Sequence, residues 1–224
     1  MSQARAAVRA AYRGLRDVVA AMDDATSWLP TGCEGWAVRD LALHCLGDAR
    51  RALVALHTPT DAPPDRDAVS YWRPEPGSPT HPAGAAAGLR VVRVVASLFG
   101  DVGQLRDEVV GTLDAVRHAV GTVHGEAAVR TQGLVLTADD LMSTLAVEAT
   151  VHHLDLVVAQ PDALGPDPVA LGHTLRVLDA LLGAAAPASW EPHRRVRLLT
   201  GRVGPTPAER QALVPAADRL PVLQ

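Results

Sequence analysis

Hydrophobic positions recur at helical spacing in four long stretches of the chain. These stretches cover residues from about 3–23, 37–57, 83–120 and 138–159. Residues three and four apart lie on one face of a helix, so each stretch predicts an amphipathic helix. Gly100 and Gly103 are a candidate break in the third stretch, and Pro161 ends the fourth. Thr137 and Asp140 suit a capping box at the start of the fourth helix.

The segments between these helices follow other patterns. Residues 29–36 are turn-rich, and residues 58–82 are dense in Pro, Asp, Ser and Gly and include Tyr71 and Trp72. A loop of that length in a compact domain is usually functional or disordered. Residues 127–136 carry little helical pattern and are a candidate extended segment.

The tail is shorter and more mixed than the part before it. It predicts one helix at about 168–185, a short strand at Val196–Thr200 and a turn of helix at about 207–214. Four long helices followed by such a tail predict a mainly α fold. We expect a bundle over residues 1–160 and a small mixed α/β C-terminal segment over 161–224, packed on the bundle.

Composition and charge narrow the classes of function. Of the 224 residues, 48% are hydrophobic, which is enough for a sizeable core, and the net charge of −4 gives no footprint for nucleic acid. No apolar run approaches the roughly 20 residues that span a bilayer. Arginines are spread through the N-terminal helix, unlike the charge of a signal peptide, so we expect a cytoplasmic protein without membrane or nucleic-acid partners. The chain has no lysine, which excludes a Schiff-base or P-loop lysine.

The fourth helix carries the most informative polar residues. At about 100° per residue, Glu148, His152 and Asp155 fall within about 60° of the direction of its leucines, which mark the buried face. His153 is turned about 100° further round and is the less favoured inward group. A buried carboxylate and imidazole need a partner, and side chains at i and i+4 are close enough to chelate one divalent metal. His44, on the flank of the second helix's apolar face, is the natural third ligand.

Simpler interpretations of these residues stay open at this point. Glu148 and His152 could pair with each other or with an arginine, and His44 could be an ordinary core histidine. Asp155 could be a partner of His152 outside the ligand set, a fourth ligand, or one end of a hydrogen bond within the bundle. The two cysteines, Cys33 and Cys45, are interpreted as small buried hydrophobic residues.

Two motifs resemble the mycothiol-dependent maleylpyruvate isomerase family of the DinB-like superfamily. The stretch WLPTGCEGWAVRDLALH at 28–44 resembles the family's N-terminal signature, and Glu148, His152, Asp155 and Leu156 match its later E-x-x-x-H-x-x-D-L pattern. The resemblance covers roughly residues 5–160 and implies a DinB-like four-helix bundle. It implies that His44, Glu148 and His152 hold a divalent metal, most readily zinc, with a position left open.

The resemblance also implies a chemistry in which mycothiol is the cosubstrate. A thiol coordinated by a metal is deprotonated, and the thiolate is a nucleophile. Addition to an activated double bond, rotation and departure would give isomerisation, whereas retention of the thiol would give an S-conjugate. A thiol-independent metal hydrolase and a non-catalytic metal or small-molecule binding protein are the alternatives.

The tail departs from the family pattern, because it is shorter than the isomerase's own C-terminal domain. That difference leaves the substrate open. The candidate substrate-binding residues are Arg50, Arg51, Arg90, Arg93, Tyr71 and Trp72, although Tyr71 and Trp72 are more typical of residues that hold a loop in place. A homodimer through an exposed helix face is a further expectation.

Overall fold

The structure, a computed structural model, describes residues 1–73 and 82–223, without the side chains of 82–89. Its helices are α1 (Gln3–Ala20), α2 (Asp24–Ser27), α3 (Val38–Leu56), α4 (Pro82–Ser97), α5 (Val102–Thr122), α6 (Ala138–Leu156), α7 (Pro168–Leu182), α8 (Pro192–Leu199) and α9 (Pro207–Ala212). Its strands are β1 (Ala128–Thr131) and β2 (Leu134–Thr137), and single 3₁₀ turns lie at Ser70–Trp72 and Ala216–Arg219. The mainly α prediction is confirmed. Residues 74–81 of the predicted loop lie outside the described residues.

Four long helices, α1, α3, α5 and α6, form the bundle. Helix α1 packs on α5 and α6, and α3 packs on the same two helices from the other side. The inward face of α1 carries Val8, Tyr12, Leu15 and Val19, which are spaced three or four residues apart and are all buried. Burying side chains of this size stabilises the fold by about 1.5–3 kcal/mol each. The helical spacing seen in the sequence therefore produces the bundle core.

Helix α6 is the central helix, because it contacts α1, α3 and α7 on different sides. Almost all of its residues are buried. Its start is fixed by Thr137, whose Oγ1 accepts a hydrogen bond from the backbone N–H of Asp140 at 3.0 Å. The predicted capping box is only half formed. The Asp140 carboxylate accepts from the Thr137 hydroxyl and from the backbone N–H of Ala68 rather than from the N-cap N–H.

Two of the segments between the long helices have the structure that their sequence patterns predicted. Asp101 caps α5 by accepting from the N–H of Gly103, so the helical region does break near Gly100 and Gly103. The segment at 127–136 is extended, since β1 and β2 pair antiparallel. Their two-residue turn, Gln132 and Gly133, has positive φ at both positions (50° and 82°), as a tight hairpin requires.

The strand expected at Val196–Thr200 is wrong, because residues 196–199 lie in α8. Glu191 caps that helix by accepting from two backbone N–H groups, and Pro192 stands at its first position, where it favours helix. Short apolar runs do not distinguish a strand from a buried helix, and here the cap decides. The residues described from 161 to 223 contribute helices and 3₁₀ turns and no strand.

The tail helices form a second hydrophobic cluster against the outer side of α6. Val147, Val151 and Leu154 of α6 meet Leu178 of α7 and Leu198 of α8 there. Helix α7 also contacts α1. The division of the chain near residue 160 stays a prediction. Within the described residues, no helix has the length and apolar character needed to cross a membrane.

Candidate metal centre

Two pairs of polar side chains face each other where α3 packs on α6. His44 and Asp48 come from α3, and Glu148 and His152 come from α6, each pair at i and i+4 and therefore on one helical face. The imidazoles of His44 and His152 meet edge to face, with ring centroids 4.9 Å apart. The structure thus brings the three residues predicted as ligands to one place.

The donor atoms at this place form a tighter group than the sequence indicated. One donor atom each of His44, Asp48 and His152 lies within 4.8 Å of the other two. Glu148 is outside that group, although its Oε2 lies 3.2 Å from Nε2 of His152. Asp48 was missed at the sequence level. The signal was present, because Asp48 follows His44 by four residues, the same spacing that drew attention to Glu148 and His152.

The second nitrogen of His152 is held by Asp155. Its Nδ1 lies 3.2 Å from Oδ2 of Asp155, a carboxylate that is 2% exposed. A carboxylate can only accept, so Nδ1 carries the proton and Nε2 faces the α3 pair. Carboxylate–histidine pairs of this kind orient metal-binding imidazoles. Asp155 therefore lies next to His152 on the side away from His44.

Asp155 is itself fixed from two other parts of the chain. Arg202, after α8, places Nη2 3.0 Å from Oδ2 and Nε 3.3 Å from Oδ1. Cys33 has its Sγ 3.4 Å from Oδ2, and the N–H of Gly32 donates to the Asp155 carbonyl at 2.9 Å. Cys33, His152 and Asp155 form a second group with donor atoms within 4.8 Å of one another. Arg202 was not singled out from the sequence, although it lies in the LTGRVG segment of the tail.

The electrostatics of the centre reflect burial and close pairing. Burial by itself would lower the pKa of His152, but hydrogen bonds to Asp155, Cys33 and Glu148 outweigh it, and the pKa lies well above its usual value. Burial lowers the pKa of His44 and raises the pKa of Asp48. Burial opposes ionisation of Glu148, but the hydrogen bond and charge of His152 hold its pKa below the usual value. These hydrogen bonds therefore favour the protonated form of His152.

The candidate substrate residues separate into near and distant sets. Arg51 pairs with Asp48, and Tyr71 lines the same narrow cleft as Asp48, Arg51 and Glu148. The Tyr71 hydroxyl accepts a hydrogen bond from Gln132 at 3.1 Å.

The other candidates lie elsewhere. Trp72 packs edge to face on Tyr71, as expected of a residue that holds the loop. Arg50 pairs with Glu108 on the surface. Arg90 and Arg93 line a separate cleft of about 480 Å³ beside Trp28. The structure does not place these three arginines at the metal centre.

The sequence predicted packing roles for Cys33 and Cys45 and an orientation away from the centre for His153. Cys45 is buried, and burial raises the pKa of its thiol to about 12, which fits a packing residue. Cys33 is only partly buried and contacts Asp155. His153 is fully buried, with Nε2 2.8 Å from the Leu164 carbonyl and its ring against Gly14 of α1. It points away from the centre but still into the core, because α6 is packed on several sides.

Comparison with known proteins identifies the family. The family described as mycothiol maleylpyruvate isomerase N-terminal domain matches residues 8–157, well over half of the chain. A crystal structure of a mutant of the mycothiol-dependent maleylpyruvate isomerase superposes with a TM-score of 0.53 at 15% identity, covering 91% of this chain and 90% of that one. This likeness confirms the predicted DinB-like fold, and a search of curated proteins finds no match. The chain belongs to the mycothiol maleylpyruvate isomerase N-terminal domain family.

Proposed function

We propose that this protein is a metal-dependent enzyme that uses mycothiol, or a similar low-molecular-weight thiol, to isomerise a small activated substrate or to form its S-conjugate. The observation that carries the proposal is the position of His152. Its Nδ1 is held by a buried carboxylate, while its Nε2 faces His44, Asp48 and Glu148. Family membership supports the same chemistry.

The charges of the centre fit a divalent cation. Three carboxylates, those of Asp48, Glu148 and Asp155, meet only two guanidinium groups within the described residues, those of Arg51 and Arg202. Asp48 and Asp155 are buried and Glu148 is partly buried, and an excess of such carboxylates is costly unless a further positive charge compensates it. In its absence, hydrogen bonds to the neighbouring groups outweigh burial, raise the pKa of His152 and favour its protonated form. A dication bound by His44, Glu148 and His152 would take over this role, and zinc is suited to such ligands.

The residues of the chain would position the reactants. A divalent metal at this centre would supply Lewis acidity that deprotonates a thiol at pH 7. Arg51, Tyr71 and Gln132 line a narrow cleft of about 20 Å³ beside Glu148, which holds no more than about one water molecule. The cleft would have to widen before these groups could bind a carboxylate or carbonyl of a substrate. An open surface cleft of about 530 Å³ lies beside Cys33 and Arg202, which both contact Asp155.

The reaction proposed is addition of the thiolate sulfur to an activated carbon–carbon double bond. A C–S bond forms and the π electron pair moves onto the activated carbon as a stabilised carbanion, which leaves a single carbon–carbon bond that can rotate. The same electron pair then re-forms the double bond in the other geometry as the C–S bond breaks and the thiolate leaves. When the C–S bond persists and the carbanion is protonated, the product is the S-conjugate. Both outcomes share the addition step, and neither needs a protein cysteine.

The test measures metal content and thiol dependence on the same preparations. We expect His44→Ala and His152→Ala to lose the metal while the helical circular dichroism spectrum is retained. His57→Ala, at the exposed end of α3, is the matched control and should keep the metal. Full metal retention in both site variants would refute the ligand set.

The activity assay supplies maleylpyruvate, or another activated alkene such as a maleate ester, with and without mycothiol. We expect turnover only when mycothiol is present and the metal is bound. Hydrolysis of a nitrophenyl ester by the metal-loaded protein without thiol, together with no thiol-dependent turnover, would instead establish a hydrolase. Metal binding without either activity would establish a binding protein.

A further inference from the structure

Asp48 is a buried carboxylate that the proposed set of three ligands does not use. It lies on α3, one helical turn after His44, and is 8% exposed. Its Oδ1 is paired with Arg51, and its Oδ2 lies 3.4 Å from Nε2 of His44. One oxygen of the carboxylate is thus turned to the solvent side, and the other is turned to the centre.

The distances around the centre match those between two donors of one ion. Zinc binds nitrogen and oxygen donors at about 2.0–2.2 Å, so two donors of one tetrahedral ion are about 3.4 Å apart. His44 Nε2 and Asp48 Oδ2 are separated by 3.4 Å, and His152 Nε2 and Glu148 Oε2 by 3.2 Å. Asp48 also belongs to the group whose donor atoms lie within 4.8 Å of one another, whereas Glu148 does not. Asp48 is placed at least as well as Glu148 to bind the ion.

A purely structural role for Asp48 would rest on its pairing with Arg51. That pairing occupies Oδ1, and Arg51 is half exposed, so the pair alone stabilises the fold only modestly. The other oxygen of Asp48, Oδ2, lies beside His44 one turn earlier, whose ring meets that of His152, so this oxygen borders the centre. Burial of a carboxylate is costly unless a positive charge compensates it, and a metal at this centre would do so for Asp48 as for Glu148.

We propose that Asp48 is a further protein ligand of this metal, so that α3 and α6 each supply one histidine and one carboxylate. The inference rests on the proposed function, because it concerns the same centre. It changes the expected donor set from two imidazoles and one carboxylate to two imidazoles and two carboxylates, and raises the coordination number by one.

The test measures the affinity for Co²⁺ and its visible spectrum. The d–d absorption of Co²⁺ becomes more intense as the coordination number falls from five to four. We expect Asp48→Asn to weaken Co²⁺ binding by at least about 10-fold, the lower end of what loss of even an indirect partner costs, and to intensify the visible spectrum. Arg51→Gln is the matched control. It removes the structural ion pair and leaves the ligand, so we expect its Co²⁺ spectrum to equal that of the wild type.

Each outcome separates the two proposals. Asp48→Asn with wild-type affinity and spectrum, beside a His152→Ala variant that has lost the metal, would overturn the role of Asp48 and leave the metal centre standing. An equal loss of affinity in Asp48→Asn and Arg51→Gln with unchanged spectra would also overturn it, in favour of a structural role. A wild type that binds no Co²⁺ would refute the proposed function and this inference with it. If Asp48→Asn does not fold, Asp48→Glu keeps the charge for Arg51 and must still alter the Co²⁺ spectrum.

Discussion

Gly32 approaches Asp155 so closely that adding one methyl group should disturb the proposed metal centre, although Gly32 is not one of its ligands. A Cβ built on Gly32 would lie 2.2 Å from Oδ1, 3.0 Å from Cγ and 3.1 Å from Cα of Asp155. The first distance is more than 1 Å shorter than an ordinary contact, and the last involves backbone, which cannot rotate away. Gly32→Ala therefore requires Asp155, or the loop at 29–36, to move.

The size of the effect follows from the contacts that Asp155 would lose. Over-packing a tight site costs about 1–3 kcal/mol, and displacement of Asp155 also weakens its pairing with Arg202 and its hydrogen bond to His152. We expect a loss of about 2–3 kcal/mol in the free energy of unfolding, which is about 5–10 °C in Tm for a chain of this size. Because Asp155 orients His152, metal affinity should fall about 10- to 100-fold.

Thermal unfolding followed by circular dichroism, and metal affinity by competition with a chromophoric chelator, measure the two effects. Gly111→Ala is the control, because a Cβ there meets nothing within 4 Å and the residue lies inside α5. That variant should gain about 0.5–1 kcal/mol from helix propensity and keep the metal affinity. A Gly32→Ala protein with the Tm and affinity of the wild type would refute the claim that this contact holds Asp155 in place.

Two predictions concern the tail. Ser143→Ala removes the hydroxyl that lies 2.7 Å from Nε2 of His173 between α6 and α7, and should lower the free energy of unfolding in urea by about 1–3 kcal/mol; an unchanged midpoint would contradict it. The Arg194 hydrogen bond holds the pKa of Glu209 to about 2, below its usual value. The pair therefore stabilises the fold above pH 4.5, by about 0.5–1 kcal/mol, and this contribution is lost as the pH falls towards 2. Glu209→Gln should be less stable than the wild type at pH 7 and should converge with it on acidification; a difference independent of pH would refute the assignment.

The fold followed from the sequence wherever a long amphipathic pattern met a clear end signal. Pro161 lies beyond the end of α6, and the break before α5 coincides with the Asp101 cap. Prediction failed at Val196–Thr200, where five residues are too few for a strand and a helix to differ in period. The short helix α2, with its Asp23 cap, was missed for the same reason.

Only part of the candidate site could be predicted from the sequence, because residue spacing along one helix does not show which residues of another helix pack against it. Glu148 and His152 were found from a single helical face. Asp48 required the knowledge that α3 packs on α6 with His44 towards His152. Arg202 lies 47 residues from Asp155, and no local pattern connects the two. His153 was predicted to be the less favoured inward residue because a single buried face was assumed, whereas α6 has neighbours on several sides.

Asp155 connects the loop at 29–36 and the tail to the imidazole of His152 on α6, because it contacts all three. Its carbonyl accepts from Gly32, its carboxylate contacts Cys33, and Arg202 brings the tail to both carboxylate oxygens. If a metal binds Nε2 of His152, the proton on Nδ1 and hence the orientation of the ring depend on this carboxylate staying in place. Any change that detaches Arg202 then acts on metal affinity without touching a ligand, and metal binding in turn stabilises the packing of the tail on α6 by linkage.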